Sequence, residues 1–257
     1  MRFVGVIPAR YASTRLPGKP LLKVAGKTLV HWVYLSALQS TRLDRILVAT
    51  DDERILRSVR SWDGNAVMTS DRHRSGTERV AEVAQGIKAD VFINLQCDEP
   101  ALPPATIDRV CACFDHDPEV QVGTACVPLQ DPEEALDPNV VKVVTDTKGR
   151  ALYFSRAPVP YAREGEAPYF KHLGIYGYRR RLLLNLPRLR RSPLEEIEKL
   201  EQLRFLENRI PIRVATVEED SVGIDTREDL ERVRPFFENG SLFPNSRSAN
   251  LAAEGES

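Results

Sequence analysis

The sequence contains few of the residues that mark metal-binding and disulfide-bonded proteins. Its 257 residues include four cysteines, four histidines, two tryptophans and two methionines. Cys111 and Cys113 are two apart in a predicted helix, where their side chains do not share a face, and no second pair or nearby histidine completes a zinc site. We therefore expect reduced thiols, most of them buried, and no structural zinc.

An excess of charge of one sign and long apolar runs are also missing. The 36 basic and 37 acidic residues leave a formal net charge of -1, so any anion-binding site must be local. No stretch approaches the roughly 18 apolar residues that a membrane helix needs. Pro8 follows the first apolar run too early for a signal peptide. We expect a cytoplasmic protein that binds neither nucleic acid nor a membrane.

Two frequent nucleotide-binding motifs are absent. Gly26-Lys27-Thr28 is similar to the end of a P-loop, but Leu21 occupies the position of that motif's first glycine. No G-x-G-x-x-G pattern follows a predicted strand. These absences argue against a P-loop NTPase and against a dinucleotide-dependent redox enzyme.

Short apolar runs alternate with longer helical patterns in the first half of the sequence. The predicted strands cover residues 2–7, 46–49, 66–68, 91–95 and 123–127. The predicted helices between them cover residues 29–38, 52–62, 77–87 and 104–114. This alternation predicts an α/β fold with a doubly wound, mostly parallel sheet built from right-handed βαβ units.

From about residue 140 the pattern becomes that of a smaller antiparallel part. Residues 140–145 and 151–155 predict a hairpin, and residues 175–178 predict a further strand. The remaining predicted elements are a helix over 193–208, a strand over 212–216 and a helix over 226–237 with a Thr226–Asp229 capping box. We expect one domain over residues 1–237 and a disordered tail over 238–257, where the sequence is polar and aperiodic.

The connection after the first strand, from Pro8 to Lys19, is long and basic. It carries Arg10, Arg15 and Lys19 and no acidic residue. In a doubly wound sheet this loop opens at the carboxyl end of the strand, where ligands bind. Its cations and backbone amides suit a polyphosphate. The alternative is a solvated basic loop, which the position in the fold disfavours.

Two carboxylates and the start of a helix complete the candidate site. Asp98 follows the fourth predicted strand and Asp225 precedes the last predicted helix; beside a triphosphate they suit Mg²⁺, and the alternative is that they are turn residues. Residues 75–79 open a helix whose free amides, hydroxyl and arginine suit a nucleotide or a sugar acid. The alternative there is a plain N-cap by Ser75 or Thr77.

Together these segments resemble the CMP-Kdo synthetases, the cytidylyltransferases of 3-deoxy-manno-octulosonate (Kdo). The opening, residues 6–21, is typical of the wider sugar-nucleotide family. Later blocks make the resemblance specific, and they follow in order at residues 49–51, 75–79, 98–100, 138–142, 153–157, 172–178, 192–195, 200–204 and 225–230. At Cys97 the family has a glycine, so Cys97 must accept an ordinary φ or strain its loop. The segment from Tyr161 to Lys171 is shorter than is usual in the family.

The resemblance implies that CTP and Kdo react to give CMP-Kdo and diphosphate, with Mg²⁺, for lipopolysaccharide biosynthesis. It implies catalytic roles for Arg10, Arg15, Lys19 and Asp98, and a metal site at Asp98 and Asp225. The nucleotide-binding residues that it implies are Pro8, Ala9, Arg10, Arg15, Lys19, Thr50, Asp51, Ser75, Gly76, Thr77 and Arg79. The sugar-binding residues that it implies are Gln96, Arg156, His172, Tyr176 and Glu201.

The resemblance also implies a homodimer, in which about residues 140–190 contribute to dimerisation and sugar binding. His172 and Tyr176 are four apart in a strand-like segment, which predicts that they share a face. Two other functions stay open. One is a cytidylyltransferase for another acidic sugar, such as sialic acid or amino-Kdo, and the other is a nucleotide-binding regulator without chemistry.

Overall fold

The first half of the chain alternates strands and helices as its sequence pattern predicts. The computed structural model describes residues 1–12, 16–165, 167–224 and 226–238. All the strands and helices predicted for this half are confirmed, with their ends shifted by no more than two residues, and a short β2–β3 hairpin is added. The elements are β1 (Phe3–Ala9), β2 (Lys23–Val24), β3 (Lys27–Thr28), α1 (Leu29–Leu38), β4 (Arg45–Thr50), α2 (Glu53–Arg60), β5 (Ala66–Met68), α3 (Gly76–Gly86), β6 (Val91–Asn94), α4 (Pro104–Ala112) and β7 (Val122–Pro128).

The second half supplies a hairpin, one long strand and several short helices. Its elements are β8 (Lys142–Thr145), β9 (Ala151–Ser155), β10 (Phe170–Arg179), α5 (Arg180–Asn185), α6 (Pro193–Glu198), α7 (Gln202–Glu207), β11 (Ile212–Thr216) and α8 (Arg227–Glu238). The predicted hairpin is confirmed, because β8 and β9 pair antiparallel. The strand predicted at residues 175–178 is real but much longer, since it forms part of β10.

The continuous helix predicted over residues 193–208 is wrong. Lys199 adopts a left-handed conformation with φ 55, which ends α6, and α7 begins three residues later. The break brings Leu200 into the core, where it is 5% exposed, whereas no residue of the fully described α6 is buried. Burial of one leucine therefore overrides the helical propensity of this polar stretch.

A mixed sheet organises the described part of the chain. Its main path runs β11-β7-β10-β6-β1-β4-β5, and β8 and β9 branch from β10. Neighbouring strands from β6 to β5 are parallel, as are β11 and β7, whereas β10 pairs antiparallel with both β6 and β7. The prediction of a mostly parallel α/β sheet is confirmed. The antiparallel part lies within the sheet, because β10 is inserted between two strands of the first half.

Helices cover both faces of this sheet, as the doubly wound prediction requires. Along β1, Phe3 and Ile7 face a core formed with α1, α2 and α4, while Val4 and Val6 face a second core formed with α3, α5 and α7. Because β1, β4 and β6 are parallel, their carboxyl ends meet at one edge of the sheet, where ligands of such folds bind. No helix among the described residues is long and apolar enough to cross a bilayer.

The last helix begins as predicted. The backbone N–H of Thr226 donates to Asp229 Oδ2 at 2.9 Å, and the N–H of Asp229 donates to Thr226 Oγ1 at 3.1 Å, which is the reciprocal pattern of a capping box. Leu230 and Val233 then pack α8 against Val24 of β2. The tail expected to be disordered lies outside the described residues, apart from Glu238.

A buried lysine ties the antiparallel part together. Lys142 in β8 is fully buried, and its Nζ donates to the carbonyl oxygens of Asp137 at 3.0 Å, Val140 at 2.7 Å and Arg156 at 2.6 Å. The three bonds use all the donors of the ammonium group. They join the loop before β8 to the end of β9.

Replacing Lys142 with methionine should lower the free energy of unfolding by about 2 kcal/mol, because the carbonyl groups lose a charged donor that the apolar side chain cannot replace. Urea denaturation measures this change. Lys148→Met is the matched control, because Lys148 is exposed in the β8–β9 turn, and it should change the free energy by less than about 0.5 kcal/mol. Equal losses in the two variants would contradict this role for Lys142.

Candidate active site

A cleft of about 210 Å³ opens at the carboxyl end of β1. Three segments that are far apart in sequence line it: the loop after β1, the start of α3 and the end of β6. The lining residues are Pro8, Ala9, Arg10, Lys19, Pro20, His73, Arg74, Ser75, Gly76, Arg79, Gln96, Cys97 and Asp98. Nine of these are predicted site residues, so the structure brings together most of the predicted nucleotide site.

The basic loop is closed near its end by a backbone hydrogen bond. The N–H of Gly18 donates to the carbonyl of Tyr11 at 3.0 Å, and Gly18 has a left-handed φ of 70. The loop then turns into Lys19, whose side chain is only 11% exposed and whose Nζ lies 3.1 Å from Asp98 Oδ2. Arg10 is exposed where it lines the cleft. The predicted phosphate ligand Arg15 lies outside the described residues.

The start of α3 lines the same cleft with Ser75 and Gly76. Ser75 is its N-cap, because Ser75 Oγ accepts from the N–H of Glu78 at 3.2 Å, so the N-cap interpretation is correct for Ser75. A Cβ at Gly76 would lie 3.1 Å from Pro8 Cγ, so glycine lets α3 approach the end of β1 closely. A helix start so close to a basic loop suits an anion.

Arg79 is buried beneath this helix start and is bound by protein groups. Its Nη2 donates to Asp51 Oδ2 at 2.6 Å, and its Nη1 donates to Thr69 Oγ1 and, at 3.2 Å, to the carbonyl of Ser70. Thr50 is also fully buried. The Arg79–Asp51 pair therefore ties the end of β4 to α3, and the nucleotide-binding roles implied for these residues stay predictions.

Asp98 supplies the carboxylate of the cleft. Its side chain is 40% exposed, and its backbone carbonyl accepts from the N–H of Ile224 at 2.8 Å. Cys97 before it does not adopt a positive φ, so it replaces the family glycine without backbone strain. Burial raises the pKa of the Cys97 thiol, which keeps it neutral. The second predicted metal ligand, Asp225, lies outside the described residues.

The residues predicted for the sugar extend from the cleft along β10 and α7. His172 and Tyr176 share a face, with ring centroids 5.3 Å apart, which confirms that prediction although β10 is irregular between Leu173 and Tyr176. Glu201 accepts from Ser75 Oγ at 3.3 Å and from Thr77 Oγ1 at 3.2 Å. Burial raises the pKa of Glu201, and these hydroxyls connect it to the start of α3.

Gln96 and Arg156 differ in their distance from the cleft. Gln96 lines it, whereas Arg156 lies outside the lining and donates from Nε to the carbonyl of Glu198 and from Nη1 to that of Pro138, each at 2.8 Å. Two of the N–H groups expected to bind a sugar carboxylate are thus already used by the backbone. The sugar-binding role of Arg156 stays a prediction.

Hydrogen bonds around His172 identify its tautomer. Thr124 Oγ1 lies 2.7 Å from the carbonyl oxygen of Ile175 and 3.0 Å from His172 Nε2. Because the hydroxyl has one proton and the carbonyl can only accept, Thr124 donates to Ile175 and accepts from His172 Nε2–H. Nδ1 then carries the lone pair. Burial lowers the pKa of His172 to about 3, so the ring stays neutral.

Sequence reasoning missed His73 and Arg74, which line the cleft just before the α3 cap. His73 Nε2 pairs with Glu82, and Arg74 is exposed. The signal was the basic run from Arg72 to Arg74 directly before the predicted N-cap. A cation at this position adds to the attraction of a helix N-terminus for anions.

Comparison with known proteins finds relatives that share one name. The chain is 49% identical to the 3-deoxy-manno-octulosonate cytidylyltransferase of Solibacter usitatus (strain Ellin6076), over 94% of this chain and 96% of that protein. The protein of the same name from Myxococcus xanthus (strain DK1622) is 48% identical, over 92% of this chain and 96% of its own length.

Solved structures extend the comparison to the fold. The structure of CMP:2-keto-3-deoxy-manno-octonic acid synthetase complexed with CTP has a TM-score of 0.90 and 44% identity, and the match covers 93% of this chain and 100% of that chain. The inositol-1-phosphate CTP transferase from T. maritima, at 13% identity and a TM-score of 0.63, shares the fold alone; that match covers 94% of this chain and 96% of that chain.

A doubly wound sheet with cationic side chains gathered at its carboxyl edge is the architecture of a nucleotide-binding protein. Residues 4–214 match the cytidylyltransferase family. The chain therefore belongs to the cytidylyltransferases, and its similarity over nearly its whole length places it with the 3-deoxy-manno-octulosonate branch of that family.

The half-buried His172 should make stability depend on pH. The pKa of His172 is about 3 in the folded protein against an ordinary value of 6.5, so between these values the unfolded state binds more protons and stability falls as the pH falls. Lowering the pH from about 7 to about 5 should cost wild type up to about 2 kcal/mol more than His172→Gln. Urea denaturation at both pH values measures the difference.

The control for this measurement is His116→Gln, since His116 is exposed. That variant should retain the pH dependence of the wild type. The same pH dependence in His172→Gln would contradict a neutral His172 imidazole in the folded protein.

Proposed function

We propose that the protein is a CTP:3-deoxy-manno-octulosonate cytidylyltransferase, which converts CTP and Kdo to CMP-Kdo and diphosphate for lipopolysaccharide biosynthesis. One observation carries the nucleotide part of this proposal: Lys19, the start of α3 and Asp98 converge in one cleft. Kdo as the acceptor is supported by the names of the relatives in Solibacter usitatus and Myxococcus xanthus, which this chain matches over nearly their whole length.

In the proposed reaction, the anomeric hydroxyl oxygen of Kdo attacks the α-phosphorus of CTP. The bond from that phosphorus to the bridging oxygen breaks, diphosphate leaves with the bonding electrons, and the hydroxyl proton is released. The protein contributes position and charge, since phosphoryl transfer requires little covalent chemistry from it. Arg10, Arg15 and Lys19 would offset the charge that develops on the leaving diphosphate.

The donor set of the cleft fits a magnesium ion bound together with the nucleotide. Among the described residues no group of three His, Cys, Asp or Glu side chains could hold a metal by itself. Mg²⁺ is usually held by one or two carboxylates together with substrate phosphates, a role that we propose for Asp98 and Asp225. When bound, the ion would polarise the α-phosphate as a Lewis acid. Lys19 orients the Asp98 carboxylate through its ion pair.

On the sugar side we propose that several side chains bind Kdo through hydrogen bonds. Nδ1 of His172 would accept from a sugar hydroxyl, because Nε2–H is held by Thr124. Gln96, Tyr176 and Glu201 would complete the hydrogen bonds to the sugar hydroxyls, and Arg156 would face the sugar carboxylate. A site built to bind several hydroxyls discriminates strongly against analogues that lack one.

The homodimer, the cytoplasmic location and the single domain over residues 1–237 stay predictions. Exposed apolar side chains in the antiparallel part support the dimer, because Leu152 of β9 is 62% exposed. Ile197 of α6 is 75% exposed, and β9 contacts α6 where Ser155 Oγ donates to Glu198 Oε1 at 2.7 Å. Light scattering of the purified protein and cell fractionation test the first two predictions.

The decisive assay combines purified protein with Kdo and either CTP, UTP or ATP, with and without Mg²⁺, and measures diphosphate release. We expect turnover with CTP and Mg²⁺ only. Asp98→Asn should lower kcat by about 100-fold or more, because it removes a charge that supports the metal and phosphates.

The control is Asp115→Asn, which removes a carboxylate that is also paired with a cation, Arg42, on the surface. It should leave turnover unchanged. Product with UTP but not CTP would contradict the nucleotide assignment, and faster turnover with sialic acid than with Kdo would contradict the acceptor assignment.

A further inference from the structure

The segment that leads into Asp225 is held by three separate contacts, two to residues that follow β6 and one to β10. We call residues 218–224 the return segment. Ser221 Oγ donates to Glu99 Oε2, and the N–H of Ile224 donates to the carbonyl of Asp98 at 2.8 Å. Lys171 of β10 adds an ion pair, with its Nζ 2.8 Å from Asp220 Oδ2.

Side-chain contacts matter here because the return segment has no regular secondary structure. A helix or strand fixes its residues through repeated backbone bonds, whereas the contacts described for this segment are at Asp220, Ser221 and Ile224. Proposed metal ligands must be held within about 0.5 Å of their working positions to bind an ion well. The contacts of the return segment, together with burial of Ile224, therefore help to hold the backbone of Asp98 in place.

Glu99 is central among these contacts although it does not line the cleft. Its second oxygen, Oε1, lies against the β10 backbone at Gly174. A Cβ added at Gly174 would lie 2.5 Å from that oxygen, so the glycine leaves the space that the carboxyl group fills. Glu99 thus packs on β10 with one oxygen and accepts the hydrogen bond of Ser221 with the other.

We infer that Glu99 is a positioning residue: together with Ser221 it fixes the return segment against Asp98 and thereby sets the affinity of the proposed metal site. The inference rests on the proposed function, because it presumes a metal shared with CTP. It assigns no contact with substrate or metal to Glu99 itself. Removing a residue that orients a metal ligand without binding the metal itself typically changes metal affinity 10- to 100-fold.

The experiment measures Mn²⁺, as a paramagnetic substitute for Mg²⁺, binding to the full-length protein in the presence of CTP. Electron paramagnetic resonance reports free Mn²⁺ directly, without turnover. Ser221→Ala removes the donor to Glu99 and should raise the Mn²⁺ dissociation constant at least about 10-fold. Ser221→Thr retains the hydroxyl and should restore the wild-type value.

A second variant approaches Glu99 from the opposite side. Gly174→Ala should displace the Glu99 carboxyl group and raise the Mn²⁺ dissociation constant, as Ser221→Ala does. The inference therefore stays testable if Ser221→Ala does not fold. Hydrogen exchange supplies an independent readout. The amide of Ile224, which is bonded to Asp98, should exchange faster in both variants than in the wild type.

The matched control is Ser192→Ala. Ser192 is also buried, and its hydroxyl caps α6 by accepting from the N–H of Glu195 at 3.2 Å, away from the return segment. It should lower thermal stability without changing Mn²⁺ affinity. Wild-type affinity in a folded Ser221→Ala or Gly174→Ala protein would overturn the inference alone. Absence of CTP-dependent Mn²⁺ binding in the wild type would overturn the proposed function and with it this inference.

Discussion

The ion pair between Lys19 and Asp98 is the contact on which the candidate site depends. It joins residues 79 positions apart, one from the loop after β1 and one from the end of β6, at 3.1 Å. An ammonium group that is nearly removed from water is costly unless an anion faces it, so burial of Lys19 strongly favours this contact. The left-handed turn at Gly18 directs the chain toward it. Cation and carboxylate are therefore held at one point of the sheet edge.

The nucleotide side and the sugar side of the site are built differently. The nucleotide side uses segments that any doubly wound sheet brings together at one edge. They are the loop after β1, the start of α3 and the end of β6. The sugar side depends on β10, on which His172 and Tyr176 share a face. Its polar groups are then oriented by neighbours such as Thr124, which selects the tautomer of His172.

Much of this architecture could be predicted from the sequence, because local periodicity carries it. Apart from the short β2–β3 hairpin, the strands and helices up to residue 128 follow from apolar patterning, and the basic loop and Asp98 follow from their positions after predicted strands. Insertion of β10 between β6 and β7 could not be predicted, since pairing between distant strands leaves no local pattern. The same holds for the break at Lys199, where burial of Leu200 decides, and for the contact between Glu99 and Ser221.

The central claim is that the Lys19–Asp98 cleft binds CTP together with a divalent cation. The most direct measurement is calorimetric titration of CTP into wild-type protein and Lys19→Met, each with and without Mg²⁺. The account predicts that Mg²⁺ tightens CTP binding to the wild type and that Lys19→Met weakens it by at least about tenfold, the loss expected for a charged hydrogen bond to phosphate. Equal CTP affinity with and without Mg²⁺, or wild-type affinity in Lys19→Met, would contradict it.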